Sequence, residues 1–195
     1  MKIKKIAVAL IIATIAINSY SQNRNEIRIF YGVSDSELLR NVDLVGGGSY
    51  TINNFSEYGL KYLRQIKGKL NFELGLNLTT VNTEFNYITH EGLSGETRYE
   101  KLEIISIPIN ANYTVGKYFF ASGGPILDFQ TSNNSSDSQS GIGYNLGVGL
   151  KYEIDNMMFF VNPNFKRHAV IPFEKEKYHQ KLTEVGVQFG VGYKF

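Results

Sequence analysis

The chain has 195 residues, a formal charge of +2 and no cysteine. That length fits one domain, and the missing cysteine excludes disulfides, thiolate metal centres and a lipidated N-terminal cysteine. The positive charge is concentrated at the start. Lys2, Lys4 and Lys5 precede a run over residues 6–17 that is apolar apart from Thr14, and Ser19-Tyr20-Ser21 follows with small residues at the two positions a signal peptidase reads. We read residues 1–21 as a cleavable signal peptide and 22–195 as the mature domain, starting at Gln22. The 12-residue apolar run is too short to cross a bilayer as a helix. Removing residues 1–21 takes away three lysines and no acid, so the mature chain carries −1. The basic balance therefore belongs to the signal and is no evidence for nucleic acid, which requires a basic patch in the mature domain.

Beyond residue 21 the dominant signal is alternation with a period of two. The first segment, 26–33, puts Ile27, Ile29, Tyr31 and Val33 on one face, and a link over 34–54 contains Gly46-Gly47-Gly48. The second, 55–65, aligns Tyr58, Leu60 and Tyr62 opposite Gly59 and Lys61, and Lys67-Gly68 turns the chain. In the third, 70–85, Leu70, Phe72, Leu74, Leu76 and Leu78 alternate with Asn71, Glu73, Gly75, Asn77 and Thr79. A polar loop is expected over 86–98. The fourth segment, 99–115, sets Ile105, Ile107, Ile109, Ala111 and Tyr113 against Ser106, Pro108, Asn110 and Asn112, and Gly116-Lys117 reverses it. The fifth, 118–130, carries Phe119, Ala121, Leu127 and Phe129 on one face. Residues 131–140, rich in Ser, Asn, Asp and Gln, read as a mobile loop.

The sixth segment, 141–154, has the cleanest pattern. Ile142, Tyr144, Leu146, Val148, Leu150, Tyr152 and Ile154 alternate with Gly143, Asn145, Gly147, Gly149, Lys151 and Glu153. Asp155-Asn156 is a two-residue hairpin signal. The seventh, 157–169, opposes Phe159, Val161 and Phe165 to Asn162, Asn164 and Lys166, and a charged loop over 170–180 follows. The eighth, 181–195, ends on Val185, Val187, Phe189, Val191, Tyr193 and Phe195 at every second position.

These eight strands are joined by connections that run long, short, long, short, long, short, long. This is the signature of an all-β, eight-stranded antiparallel up-and-down barrel of the outer-membrane type, with loops outside and tight turns and both termini in the periplasm. Alternation alone does not say which face is inside, because a soluble ligand-binding barrel buries its apolar face. The Gly-rich opposite face decides for the membrane. Gly143, Gly147, Gly149, Gly186, Gly190 and Gly192 would be poor choices on a wet surface but leave room inside a narrow lumen for Lys151, Glu153 and Lys194. The expected lumen-facing polar residues are Lys61, Glu73, Asn110, Asn112, Asn145, Lys151, Glu153, Asn162, Lys166, Gln188 and Lys194. Tyr113, Tyr118, Tyr152, Tyr193 and Phe195 fall near turn ends as an aromatic girdle. Pro108, Pro125 and Pro163 stand against the pattern, since each removes a ladder hydrogen bond from a strand with no free edge.

Residues 103–109, with Ile107-Pro108, and residues 118–125, with Gly123-Gly124-Pro125, resemble the PorT-like small outer-membrane β-barrel proteins of Bacteroidota. A Gly-rich penultimate hairpin and the aromatic end at Phe195 extend the resemblance over roughly residues 25–195. The resemblance implies an integral barrel in contact with outer-membrane lipid and folded by the barrel assembly machinery, with Phe189, Tyr193 and Phe195 as its C-terminal assembly signal. It makes the prolines expected. Some relatives serve secretion or gliding, so an envelope or secretion-complex protein is the implied partner. The resemblance supplies no catalytic residue.

The individual residues add little chemistry. His90 and His179 fall in loops and His168 at the outer end of the seventh strand, where solvated histidines are the ordinary case. Asp128 and His179 approach one another at the outer rim only if the loops allow it, and no nucleophile pattern accompanies them. Gly46-Gly47-Gly48 lacks the Lys-Ser/Thr of a phosphate loop and reads as a hinge. Lys175-Glu176-Lys177 is a solvated loop of mixed sign. No catalytic, cofactor or metal site is assigned. The expected role is structural or interactive through the loops. A small channel is the alternative, and a soluble periplasmic ligand-binding barrel the third reading.

Overall fold

In the computed structural model, residues 25–39, 49–88, 95–132, 138–174 and 181–195 are described. Residues 1–21, read above as a signal peptide, Gly46–Gly48, read as a hinge, His90, residues 133–137 of the loop expected over 131–140, and Lys175-Glu176-Lys177 lie outside them. The strands are β1 (Asn25–Leu39), β2 (Ser49–Lys67), β3 (Leu70–Ile88), β4 (Gly95–Val115), β5 (Phe119–Gln130), β6 (Gly141–Ile154), β7 (Met157–Pro172) and β8 (Lys181–Lys194). Each pairs antiparallel with its sequence neighbour, and β1 pairs with β8 to close the barrel.

Several strands outrun their expected ends. β1 continues through Ser34, Asp35, Ser36 and Glu37, pairing as far as Leu39↔Lys181. The link expected from residue 34 is therefore strand at its start, and β2 begins at Ser49 rather than 55. The loop expected over 86–98 narrows in the same way, with β3 reaching Ile88 and β4 starting at Gly95. The cause is that backbone ladders do not require apolar side chains. Above the lipid band, polar residues keep pairing and only the hydrophobic alternation stops.

The tight turns follow their chemistry. Gly68 (φ 57°) and Gly116 (φ 66°) take the left-handed conformation after β2 and β4, and Asp155 (φ 52°) does so between β6 and β7.

The exterior is apolar. Ile29, Tyr58, Leu60, Leu78, Val185 and Phe189 all point outward, and Val148 is 65% exposed. A water-soluble monomer does not tolerate an apolar surface this large. The polar face is the buried one: Glu73, Asn112 and Glu184 are fully inaccessible. A soluble barrel with its apolar face inward is thus reversed in this fold. Tyr113, Tyr118, Tyr152, Tyr193 and Phe195 are exposed around the turn end, where Tyr118 and Tyr152 stack at 6.4 Å.

The prolines need no bulge. Each sits where two successive residue pairs are missing from one ladder while the other ladder holds. Pro108 lacks its β3 partner and pairs with Ile126, Pro125 lacks its β4 partner and pairs with Tyr144, and Pro163 lacks its β6 partner and pairs with Val187. The missing N–H therefore faces a gap in the wall, and register is kept on both sides. Pro108 points inward against Gly75, where an added Cβ would lie 2.7 Å from the Pro108 Cγ.

Candidate functional site

Eight strands enclose a space that side chains fill, and here that filling is graded from the turn end to the loop end. At the turn end Lys151 Nζ lies 3.0 Å from Glu153 Oε1 and 3.2 Å from Thr114 Oγ1, and Lys194 Nζ lies 2.5 Å from Glu153 Oε2. These groups border an open cavity of about 420 Å³.

An aromatic layer comes next. Arg28 pairs with Glu26, and its guanidinium sits 5.2 Å from the Phe120 ring centroid and 5.3 Å from that of Phe160. Three inner-face glycines serve this layer, while Gly143, Gly147, Gly186 and Gly192 abut other groups. A Cβ on Gly149 would fall 2.3 Å from Phe120, one on Gly190 2.5 Å from Phe160 and one on Gly59 2.1 Å from Phe30. The expectation that the glycines make room for Lys151, Glu153 and Lys194 is corrected accordingly. At Gly59, Gly149 and Gly190 the lumenal rings take the space, because a ring fits only where the facing wall carries no side chain. The alternation could have shown this, since Phe120 lies between outward Phe119 and Ala121, and Phe160 between outward Phe159 and Val161.

The middle of the lumen is a hydrogen-bonded polar network. Lys61 Nζ donates to Gln188 Oε1 (2.9 Å) and lies 3.4 Å from Glu73. Glu73 accepts from Asn110 (3.0 Å) and Asn112 (2.8 Å), and Asn145 donates to Asn110 (2.8 Å). Gln188 takes a bond from Asn162 (3.2 Å) and gives one to Glu57 (3.0 Å). Lys166 bridges Glu57 at 2.7 Å and Glu184 at 3.2 Å. All the polar candidates from the sequence are turned inward: Lys151 is buried, Glu153 and Lys194 are half-buried at the mouth, and the rest are buried. Sequence reasoning missed Arg28, Glu57, Asp128 and Glu184 as members of the network. Glu57 and Glu184 carry the signal in lying four residues from Lys61 and Gln188 on the same strands, and Arg28 and Asp128 in lying between Ile27 and Ile29 and between Leu127 and Phe129 of the apolar face.

Nearer the loop end lies a second unforeseen group. His168 is completely buried rather than solvated. Its Nε2 is 2.9 Å from Glu184 Oε1 and its Nδ1 3.0 Å from Asp128 Oδ1, which accepts the Ser106 hydroxyl at 2.6 Å. The Asp128 partner is thus His168, while His179 lies outside the described residues. Local geometry brings His168 in. The β6–β7 register slips between Ile142 and Tyr144, Ala169 adopts φ 43°, and both His168 and Ala169 face inward. Ser106, Asp128 and His168 do not form a nucleophilic triad, because the hydroxyl bonds the carboxylate and not the imidazole.

An apolar layer of Val81, Leu102, Ile104 and Leu182, flanked by Phe55, packs together at the loop end. Of the β5–β6 connection, expected to be mobile over 131–140, only 131–132 and 138–140 are described, and hydrogen bonds hold these two ends. Gln130 N donates to Ser140 Oγ (3.0 Å), Gln139 N to Gln130 Oε1 (2.7 Å), and Leu182 N to the Gln139 side chain (2.9 Å). Its polar side chains bond the strand ends beside them, and Gln139 is buried. No group of three or more His, Cys, Asp or Glu able to hold a metal occurs among the described residues.

Comparison with solved structures returns outer-membrane barrels. The crystal structure of the outer membrane protein OprG from Pseudomonas aeruginosa aligns at 17% identity and TM-score 0.51, over 89% of this chain and 96% of that one. The solid-state NMR structure of outer membrane protein AlkL in DMPC lipid bilayers aligns at 12% identity and TM-score 0.55, over 91% and 93%. These likenesses are of fold. No match is found among curated proteins. The profile of the family described as "Outer membrane protein beta-barrel domain" matches residues 18–195. The chain belongs to that outer membrane β-barrel family.

Proposed function

We propose that this chain is a closed, non-conducting outer-membrane barrel that acts through its loop-end connections on a partner in the cell envelope. The observation that carries the reading is the apolar layer of Val81, Leu102, Ile104 and Leu182 lying across the lumen beyond the ion-pair network. With the interior filled, the loops and outer wall remain for recognition. The resemblance to PorT-like proteins at residues 103–109 and 118–125 supports a secretion or envelope complex as that partner. In this reading the turns and both termini face the periplasm, as short turns do in such barrels. The outward Phe189, Tyr193 and Phe195 on the closing strand then serve as the signal read by the barrel assembly machinery. No catalysis is assigned: Ser106 is buried and its hydroxyl bonds the Asp128 carboxylate rather than the His168 imidazole.

A small solute channel is the competing reading. Purified protein inserted in a planar lipid bilayer separates the two. The closed barrel yields no stable conductance steps, while a photo-crosslinker at exposed Thr131 captures an envelope protein in cells. Reproducible ohmic steps would overturn the closed-barrel reading in favour of the channel.

A further inference from the structure

The turn-end cavity is distinct from the filled lumen above it. It holds about 420 Å³, within the range of small-molecule sites. Four lysines border it: Lys69, Lys117, Lys151 and Lys194. Two carboxylates border it as well, but they differ in what they leave over. Glu26 is neutralised by Arg28, which is buried beneath the cavity. Glu153 is shared between Lys151 and Lys194. Lys69 and Lys117 sit on the turns and form no ion pair among the described residues, and the Lys117 ammonium lies 5.4 Å from the Tyr118 ring centroid. The cavity thus keeps a surplus of positive charge inside a rim whose outer wall is apolar. Low-dielectric walls around a charged cleft focus its field on anions. Lys151 and Lys194 have side chains only 8% and 18% exposed and turned inward, so the lipid headgroups around the barrel do not meet them.

We infer that this cavity is a binding site for a small multivalent oxyanion, a solute bearing two or more carboxylate or phosphate groups, drawn from the compartment the turns face. Lys69 and Lys117 attract it at the rim, and Lys151 and Lys194 hold it below. Glu153 competes with the ligand for those two lysines, so it tunes affinity.

The test is calorimetric titration of the full chain, folded in nonionic detergent, with citrate and with pyrophosphate as probes and acetate as the monovalent control. Saturable 1:1 binding of citrate or pyrophosphate is expected, with acetate inert, and the better probe identifies the anionic group. Lys69→Gln with Lys117→Gln, both on exposed turns, should weaken it about tenfold, and Glu153→Gln should tighten it about tenfold, the worth of one unit charge at short range in partly screened surroundings. Heat-modifiable gel mobility checks that each variant is folded. Absence of saturable binding overturns the proposal. So does unchanged affinity in the lysine pair, which stays informative even if Glu153→Gln fails to fold.

Discussion

Replacing Lys166 with methionine puts the lumen network to its sharpest test. The ammonium sits 2.7 Å from Glu57 and 3.2 Å from Glu184, with all three side chains 5% exposed or less. Methionine keeps most of the volume and removes the charge, leaving two carboxylates buried a few ångströms apart. Removing one partner of a buried ion pair costs about 3–5 kcal/mol. The lower half of that range applies, because Glu57 retains bonds from Asn77 (2.8 Å) and Gln188 (3.0 Å) and Glu184 retains His168 (2.9 Å). We therefore expect a loss of about 3 kcal/mol in folding free energy. Urea titration of barrels refolded in phospholipid vesicles measures it, with the folded fraction read from gel mobility and far-UV circular dichroism since the chain has no tryptophan. Adding Glu57→Gln removes one stranded charge and should recover at least about 1 kcal/mol, a coupling that only contacting residues show. A Lys166→Met barrel within about 0.5 kcal/mol of the parent, a change typical of surface sites, would falsify the network as drawn.

Two further outcomes follow from the two faces of β6. Val148 is 65% exposed near the middle of the outer apolar band, so Val148→Arg should cost about 2–4 kcal/mol in vesicles. A neutral result by urea titration would remove the lipid assignment of that face. On the inner face, a Cβ at Gly149 meets Phe120 at 2.3 Å and the Val161 carbonyl oxygen at 2.7 Å. Gly149→Val should lose about 1–3 kcal/mol by overpacking, and Phe120→Ala in the same chain should restore part of it. If the double variant is no better than Gly149→Val alone, the glycine is not there to seat the ring.

The wall of this barrel was legible in the chain because each of its features is local. Period-two alternation, the Gly68, Gly116 and Asp155 turns, and the long–short rhythm of connections depend on residues a few positions apart, and they specify strand count, order and antiparallel pairing. The inner and outer faces follow from the same alternation, so the polar candidates from Lys61 to Lys194 could be named from one dimension. Strand ends were less legible, because the pairing of Ser34 to Leu39 with β8 involves polar residues that carry no hydrophobic signal.

The filling of the lumen was decided only by closure. When β1 meets β8, side chains more than a hundred positions apart come within hydrogen-bond reach, as Lys166 does with Glu57 and Gln188 with Glu57. No spacing rule encodes such a contact. The register slip that turns both His168 and Ala169 inward has no local signature either, since the alanine that takes φ 43° does not favour it on its own. Apart from the slip at His168 and Ala169, sequence by itself therefore determined which residues face inward, through the two-residue period of the strand. Tertiary structure alone determined which of them meet, because partners across a closed lumen are chosen by curvature and register, properties of the whole ring.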